Sequence, residues 1–296
     1  MAIKELSILI PTHNDLCVKL AGDLRIQAER ACIVYEIIVA DDGSTDIDVI
    51  RQNSKIDQWN YCRYIRQENN IGRAAIRNRL AKEAKYEWVL FIDSDMTIVR
   101  DNYLSRYLSS DNDSVVDGGI SVGGDAEELK WCLRYLYEKS AEQEHTAKMR
   151  QKNPYRDFHT ANFLVRRSIM LSHPFDDRFR YYGYEDVLFG KQLREANIAI
   201  THIDNPIGFC TFESNPDFIS KTEEGLQTLY RFRDELRGYS RLITIVNGIH
   251  IPLVRSFIRL LFRIFGPLIR KNLCSPRPNI RLYNIYKLGY YLSLPQ

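Results

Sequence analysis

Two aspartates one residue apart, Asp93 and Asp95, stand just past an apolar run of strand length, Trp88-Val-Leu-Phe-Ile92. Carboxylates so spaced offer oxygen ligands to a hard divalent cation such as Mn²⁺ or Mg²⁺, which keeps several waters and completes its shell with substrate phosphates. A second pair, Asp41-Asp42, ends another apolar run before Gly43-Ser44. A carboxylate there can accept a hydrogen bond from a nucleobase N–H. A third pair, Glu185-Asp186, follows the aromatic loop Tyr181-Tyr182-Gly183-Tyr184 and opens a helical stretch. It can hold a carboxylate toward an attacking hydroxyl as general base, while the tyrosines offer faces for a sugar ring. Each pair also has a plainer reading: Asp-Ser-Asp and Asp-Asp-Gly form turns through their own backbone, and acids in a helix's first turn suit its macrodipole. The histidines at 13, 145, 159, 173, 202 and 250 are dispersed, and none has metal-ligand spacing.

The elements that must position these acids follow from hydrophobic patterning. Leu6–Ile10, Tyr35–Ala40, Tyr61–Arg66 and Glu87–Asp95 read as strands, and the stretches 15–32 and 74–85 have helical spacing. Ser44 or Thr45 is placed to cap the helix after the second strand. Runs that are apolar throughout suit strands buried on both faces, as in a parallel sheet. Alternating strands and helices over the first 95 residues therefore predict βαβ units, with the acids at the strands' carboxyl ends, where open α/β sheets bind ligands. Beyond, 114–122 reads as a strand interrupted at Gly118-Gly119, 127–148 as one long amphipathic helix, 158–165 and 198–203 as strands, and 184–197 and 216–237 as helices. No G-x-G-x-x-G follows the first strand, which leaves metal-bridged phosphate recognition as the natural use of such a site.

Composition bounds the rest. In 296 residues, 45% hydrophobic content supports a proper core, and six scattered cysteines without C-x-x-C spacing argue against zinc or a disulfide framework. There is no apolar signal-peptide core, and no run approaches the roughly 18 apolar residues of a spanning helix. A reducing, cytoplasmic setting is expected. The net charge of +3 is unevenly placed: from Arg231 onward 12 Lys and Arg face 2 acids, against 29 and 36 before it. A basic tail on an acidic body favours an anionic surface, lipid headgroups ahead of nucleic acid, and no nucleic-acid partner is expected.

Five segments occur in a telling order: Ser-Ile-Leu-Ile-Pro-Thr-His-Asn (7–14), Glu-Ile-Ile-Val-Ala-Asp-Asp-Gly-Ser-Thr-Asp (36–46), Asn-Ile-Gly-Arg-Ala-Ala-Ile-Arg-Asn (70–78), Phe-Ile-Asp-Ser-Asp (91–95) and Tyr-Gly-Tyr-Glu-Asp (182–186). Together they resemble the inverting family-two glycosyltransferases of GT-A fold, over about residues 5–225, and most of all the bacterial branch that builds surface or capsular polysaccharide. The resemblance implies a mixed, mostly parallel sheet flanked by helices. A catalytic domain would span 1–230, with a nucleotide-binding half (1–100) and an acceptor-side half (101–230), followed by a basic helical tail, 231–296. It implies that Pro11, Thr12, His13, Asp42, Gly72, Arg77, Asp93 and Ser94 hold the nucleotide, with Asp42 on the base. Asp95, with Asp93, would bind Mn²⁺ or Mg²⁺ against the donor diphosphate. Asn162, Tyr182, Gly183 and Tyr184 would contact donor sugar or acceptor, and Asp186, oriented or shared by Glu185, would be the base. Two positions depart from the pattern. His13 replaces a common tyrosine, and Phe209, within Pro206-Ile-Gly-Phe-Cys210, stands where relatives carry a metal-binding histidine, with His202 a weak substitute.

The expected activity is transfer of a sugar from a nucleoside-diphosphate sugar, UDP-sugar foremost, to a glycan or lipid-linked acceptor. In the tail, Arg255, Arg259 and Arg263 are four apart among Phe257, Ile258, Leu261, Phe262 and Phe265. A basic amphipathic helix of this kind reads as lying on a membrane surface through 251–271, peripheral at the inner face, or as packing its apolar side on the body. A reading of another class is a nucleotide-sugar-binding scaffold without transferase activity. Retention of both the Asp93-x-Asp95 and Glu185-Asp186 acids disfavours it.

Overall fold

The computed structural model describes residues 2–110 and 114–295. Strands β1 (Glu5–Thr12), β2 (Val34–Asp41), β3 (Cys62–Arg66) and β4 (Trp88–Ile92) alternate with helices α1 (Val18–Arg30), α2 (Ile47–Asn53) and α3 (Arg73–Glu83). β1 pairs in parallel with both β2 and β4, and β2 with β3. Every residue of β4 is buried, as an all-apolar run requires, and the chain emerges directly into Asp93-Ser94-Asp95.

The short strand β5 (Met96–Thr97) and helix α4 (Tyr103–Leu108) come next, followed by β6 (Val115–Asp117) and β7 (Ile120–Val122). The expected strand over 114–122 is in fact these two, and they belong to different sheets. Gly119, at φ +82°, turns the chain from one to the other. The long helix expected over 127–148 is also broken, into α5 (Leu133–Ala141), a 3₁₀ turn and α6 (Ala147–Arg150). The break draws Arg150 inward, where its guanidinium donates to the carbonyls of His145 at 2.5 Å and Ile203 at 3.0 Å.

Strand β8 (Asn162–Arg166), shorter than expected, leads into α7 (Arg167–Ser172), α8 (Glu185–Glu195), β9 (Ile200–His202), β10 (Ile207–Phe209) and α9 (Asn215–Arg231). The large sheet runs β3-β2-β1-β4-β8-β6-β9, with β8 antiparallel to both its neighbours, and the small sheet runs β5-β10-β7. Two apolar layers lie against the large sheet. One joins Phe91, Phe163, Phe175 and Phe189 and the other Ile8, Leu24, Leu90 and Tyr103. The mixed, mostly parallel sheet is the expected one.

The tail forms α10 (Arg241–Gly248), α11 (Pro252–Leu273) and α12 (Arg281–Ser293). α12 packs on the body: Tyr283 and Tyr286 share an apolar cluster with Leu133 of α5 and Phe218 and Ile219 of α9. Gly289 has no room for a Cβ, which would fall 2.2 Å from the Phe262 ring, so α11 and α12 meet closely there. The arginines of α11 do not form one outward face. Arg255 donates to the carbonyls of Val246 and Ile249 at the end of α10, and Arg259 to the carbonyl of Leu292 near the end of α12. Carbonyls in a helix's last turn lack intrahelical donors, and these cations supply them.

Candidate active site

Two cavities meet at the carboxyl ends of β1, β2 and β4. The first, of about 500 Å³, is lined by Pro11, Thr12, His13, Asp42, Gly72, Arg77, Ser94, Tyr181 and neighbouring side chains. The second, of about 490 Å³, is lined by Thr160, Ala161, Gly183, Tyr184, Glu185 and Asp186, with Tyr283 and Lys287 arriving from α12. Arg73, Asp93, Asp95, Tyr182, Glu213 and Lys221 line both. Of the acids expected at the strand ends, Asp93 and Asp95 therefore sit at the junction of the two cavities and Asp42 in the first.

Asp42 is nearly buried, and its two carboxylate oxygens accept the N–H groups of Ile71 at 2.8 Å and Gly72 at 2.9 Å. It fixes the loop before α3. Gly72 is required there twice over: its φ is +95°, and a Cβ would lie 2.9 Å from the backbone of Arg180. Asp41, also fully buried, accepts from Ser44 N at 2.7 Å and from the Tyr64 hydroxyl. The helix cap after β2 is neither Ser44 nor Thr45 but Asp46, which accepts from Asp48 N and Val49 N. Ser44 instead accepts the N–H of Asn14. His13 is exposed at the cavity rim, with a ring nitrogen 2.9 Å from the Asp42 carbonyl.

α3 supplies two arginines one turn apart with different surroundings. Arg77 is 1% exposed, donates to Asp93 at 2.5 Å and to the Arg73 carbonyl at 3.1 Å, and lies 3.7 Å from Glu185. Such burial leaves it little reach toward a nucleotide. Its charge is engaged by two carboxylates, Asp93 and Glu185. Arg73 is the more accessible cation. It stands within 3.9 Å of both Asp93 and Glu185 and over the Tyr182 ring, its guanidinium carbon 5.1 Å from the centroid. The sequence reading missed Arg73 because nothing in Gly72-Arg73-Ala74 says which arginine of the helix faces the cleft.

The acids of the second cavity are unequal. Glu185 is buried and flanked by Arg73 and Arg77. Asp186 is half-buried and has no ion-pair partner among the described residues; one of its oxygens accepts the N–H of Val187 at 2.7 Å. Burial first, and the charge of Glu185 second, push Asp186 up to about 7. Adjacent carboxylates in such different surroundings take different roles, and the near-neutral one suits proton abstraction.

For a metal, Asp95 is the available ligand. Its carboxylate has no ion pair or hydrogen bond from another described residue, whereas Asp93 is engaged by Arg77. Among the described residues no group of three His, Cys, Asp or Glu could hold an ion. This donor set fits a hard cation whose remaining ligands are diphosphate and water. His202 adds nothing: one ring nitrogen takes the Arg150 Nε–H at 3.0 Å and the other lies 2.9 Å from the Pro154 carbonyl. Burial lowers its pKa to about 4. Phe209 is buried beside Phe212 and pairs across the small sheet with Met96, next to Asp95.

Asn162 requires a correction. It is 1% exposed, and its side-chain oxygen accepts from the hydroxyls of Tyr103 at 2.5 Å and Tyr107 at 2.7 Å. Its amide donates to the carbonyls of Gly119 at 2.8 Å and Asn205 at 3.0 Å. With every hydrogen-bonding site used inside the protein, it has none for a sugar, and the cavity wall there is Thr160 and Ala161. Asn162→Leu is expected to lower the unfolding free energy by about 3 kcal/mol, from several buried partners left unpaired. Donor affinity of the folded fraction should be nearly unchanged; urea denaturation and a nucleotide titration check the two.

Comparison with known proteins bears on what this arrangement is. Hyaluronan synthase of Pasteurella multocida is 24% identical over 86% of this chain and 30% of its own length. Chondroitin synthase of Pasteurella multocida strain Pm70 is 27% identical with the same coverages. The chain thus spans about a third of these relatives. Among solved structures, the mannosyltransferase PcManGT from Pyrobaculum calidifontis, in complex with GDP-Man and Mn²⁺, superposes with a TM-score of 0.58 at 13% identity. It covers 97% of this chain and 84% of that one. S. aureus TarS 1-349, in complex with UDP-GlcNAc, gives 0.50 at 17% identity, with coverages of 97% and 89%. The model of Glycosyl transferase family 2 matches residues 7–172, over half of the chain and including β1 through β8 with the acids at 42, 93 and 95. On that match, the chain belongs to glycosyl transferase family 2.

Proposed function

We propose that the protein is a metal-dependent, inverting glycosyltransferase that moves a sugar from a nucleoside-diphosphate sugar, a UDP-sugar foremost, to a hydroxyl of a glycan or lipid-linked acceptor in surface polysaccharide synthesis. The observation that carries this reading is the junction of the two cavities at Arg73, Asp93 and Asp95, with Asp186 on the wall of the second. Similar structures that hold UDP-GlcNAc, or GDP-Man with Mn²⁺, support the donor class, and the polymerising synthases among the relatives support a glycan acceptor. A lipid-linked acceptor would put the enzyme at the inner face of a membrane.

The nucleotide occupies the cavity under Pro11, Thr12 and His13, and the acceptor enters past Tyr182, Gly183 and Tyr184. Asp95 would hold the divalent cation, which would stabilise negative charge on the diphosphate leaving group. Arg73 adds a positive charge at the cavity junction, and Arg77 keeps Asp93 and Glu185 in register. Asp186 takes the proton from the acceptor hydroxyl as that oxygen attacks the anomeric carbon. Acceptor and leaving group come from opposite cavities, so one in-line displacement inverts the anomeric configuration. Screening nucleoside-diphosphate sugars for Mn²⁺-dependent turnover, then assigning the product linkage by NMR, tests this. Inversion is expected, and a retained anomer would overturn the mechanism.

The pH profile is a further check. Asp186 works as a base only when ionised, so kcat/KM for the donor should fall about tenfold per pH unit below pH about 7 and level off above it. The sign for stability is the reverse. The folded state binds this proton more tightly than the unfolded chain, so the contribution of Asp186 to stability is full below its unfolded pKa of about 3.9 and lost as pH rises through about 7.

A further inference from the structure

α10 and α11 carry a surface that the transfer reaction does not use. Leu253, Phe257, Leu260, Ile264 and Leu268 recur at helical spacing along α11 and are all exposed, Leu253 at 80% and Leu268 at 64%. Val254, Leu261 and Phe265 widen the stripe, and Ile251 extends it toward α10. The opposite side of the helix is anchored, through Phe262 on Gly289 and Tyr286 and through Leu273 in the cluster with α5 and α9. A row of large apolar side chains of this length is more than an isolated monomer normally exposes, and it calls for an occupant.

We infer that this face lies in the interface of an anionic lipid bilayer, with α11 parallel to the membrane plane. Charge decides between lipid and a second copy of the chain. Arg263 and Lys271 are exposed on the same helix, and no acid occurs after Glu235. A two-fold contact through α11 would set Arg263, near the middle of the helix, close to its own copy with no carboxylate from the tail to neutralise it. An anionic headgroup layer supplies that neutralisation while the acyl region takes up the phenylalanines and leucines. No single helix among the described residues is long and apolar enough to cross a membrane; α10 and α11 reach that length and hydropathy only as a pair bent by 120°, and Arg255 and Arg259 of α11 are turned onto carbonyls of α10 and α12. The inward arginines 255 and 259 bind α11 to α10 and α12, and α12 packs on α5 and α9, so docking brings the whole protein to the membrane.

Sedimentation of the full chain with vesicles of phosphatidylcholine, alone or with 30–40% phosphatidylglycerol (a composition of roughly cytoplasmic-leaflet charge), tests this apart from any transferase activity. Binding to the anionic vesicles only, weakened by salt, is expected. Leu253→Ser/Phe257→Ser/Ile264→Ser, all exposed positions, should abolish it with the circular dichroism spectrum unchanged. Arg263→Glu/Lys271→Glu should weaken it on the order of tenfold or more. No vesicle binding, or a dimer in gel filtration that the serine variant dissociates, would overturn the inference. Failure of the transfer reaction would leave this outcome untouched.

Discussion

Asp186→Asn is expected to lower kcat by roughly 10²- to 10⁴-fold, the range a positioned general base contributes, while nucleotide affinity stays within about twofold. The substitution is nearly isosteric and removes the group that titrates near neutrality. It also relieves the repulsion with Glu185, so folding stability should rise slightly or hold at pH 8. Two readouts separate catalysis from structure: single-turnover transfer with donor saturating, and the acid limb of the pH profile, which should vanish in the variant. Near-normal transfer would shift the base to Glu185. That assignment would be hard to reconcile with Glu185 lying buried between Arg73 and Arg77. Because the asparagine can still accept from Val187 N, the start of α8 should survive.

Asp95→Ala is the second large effect. With Asp93 held by Arg77 and His202 turned inward, Asp95 would be the protein's main hold on a divalent cation under the proposed mechanism. Its loss should cost on the order of a thousandfold in kcat/KM, a few kcal/mol of charge stabilisation at the leaving diphosphate. Calorimetric titration of UDP with and without Mn²⁺ gives the sharper test. Metal should tighten nucleotide binding in the wild type and leave it unchanged in the variant. Asp95→Ala is not expected to unfold the protein, because the carboxylate has no partner among the described residues to strand. An equal metal effect in both proteins would mean that other groups carry the ion.

The legible part of the site was what local sequence dictates. All-apolar runs declared the parallel strands, and acids immediately after them had to emerge at the carboxyl edge, so Asp42, Asp93 and Asp95 could be placed beside one another before any coordinates. What the reading missed lies in side-chain direction. Asn162 ends a loop and starts a strand, and no local signal says that two tyrosines some 55 residues away will saturate its oxygen. Arg73 and Arg77 share a helix and a residue type, yet Arg73 is substantially exposed at the junction of the two cavities and Arg77 is buried against Asp93. The stretch 127–148 has helical periodicity throughout, but the helix breaks, and just after the break Arg150 is buried against the carbonyls of His145 and Ile203. Tyr283 and Lys287, from the supposedly separate tail, reach the second cavity only because α12 packs on α5 and α9.

By itself the sequence determined the fold class and the family, and it put the acids at strand and helix ends, because each of these depends on residue types within one turn or one strand. Only the tertiary structure decided which carboxylates are free. Asp93 and Glu185 are paired with arginines of α3, while Asp95 and Asp186 have no ion-pair partner among the described residues. Charge pairing acts through space at a few ångströms, between residues up to about a hundred positions apart, and so it is settled by packing rather than by neighbours in the chain.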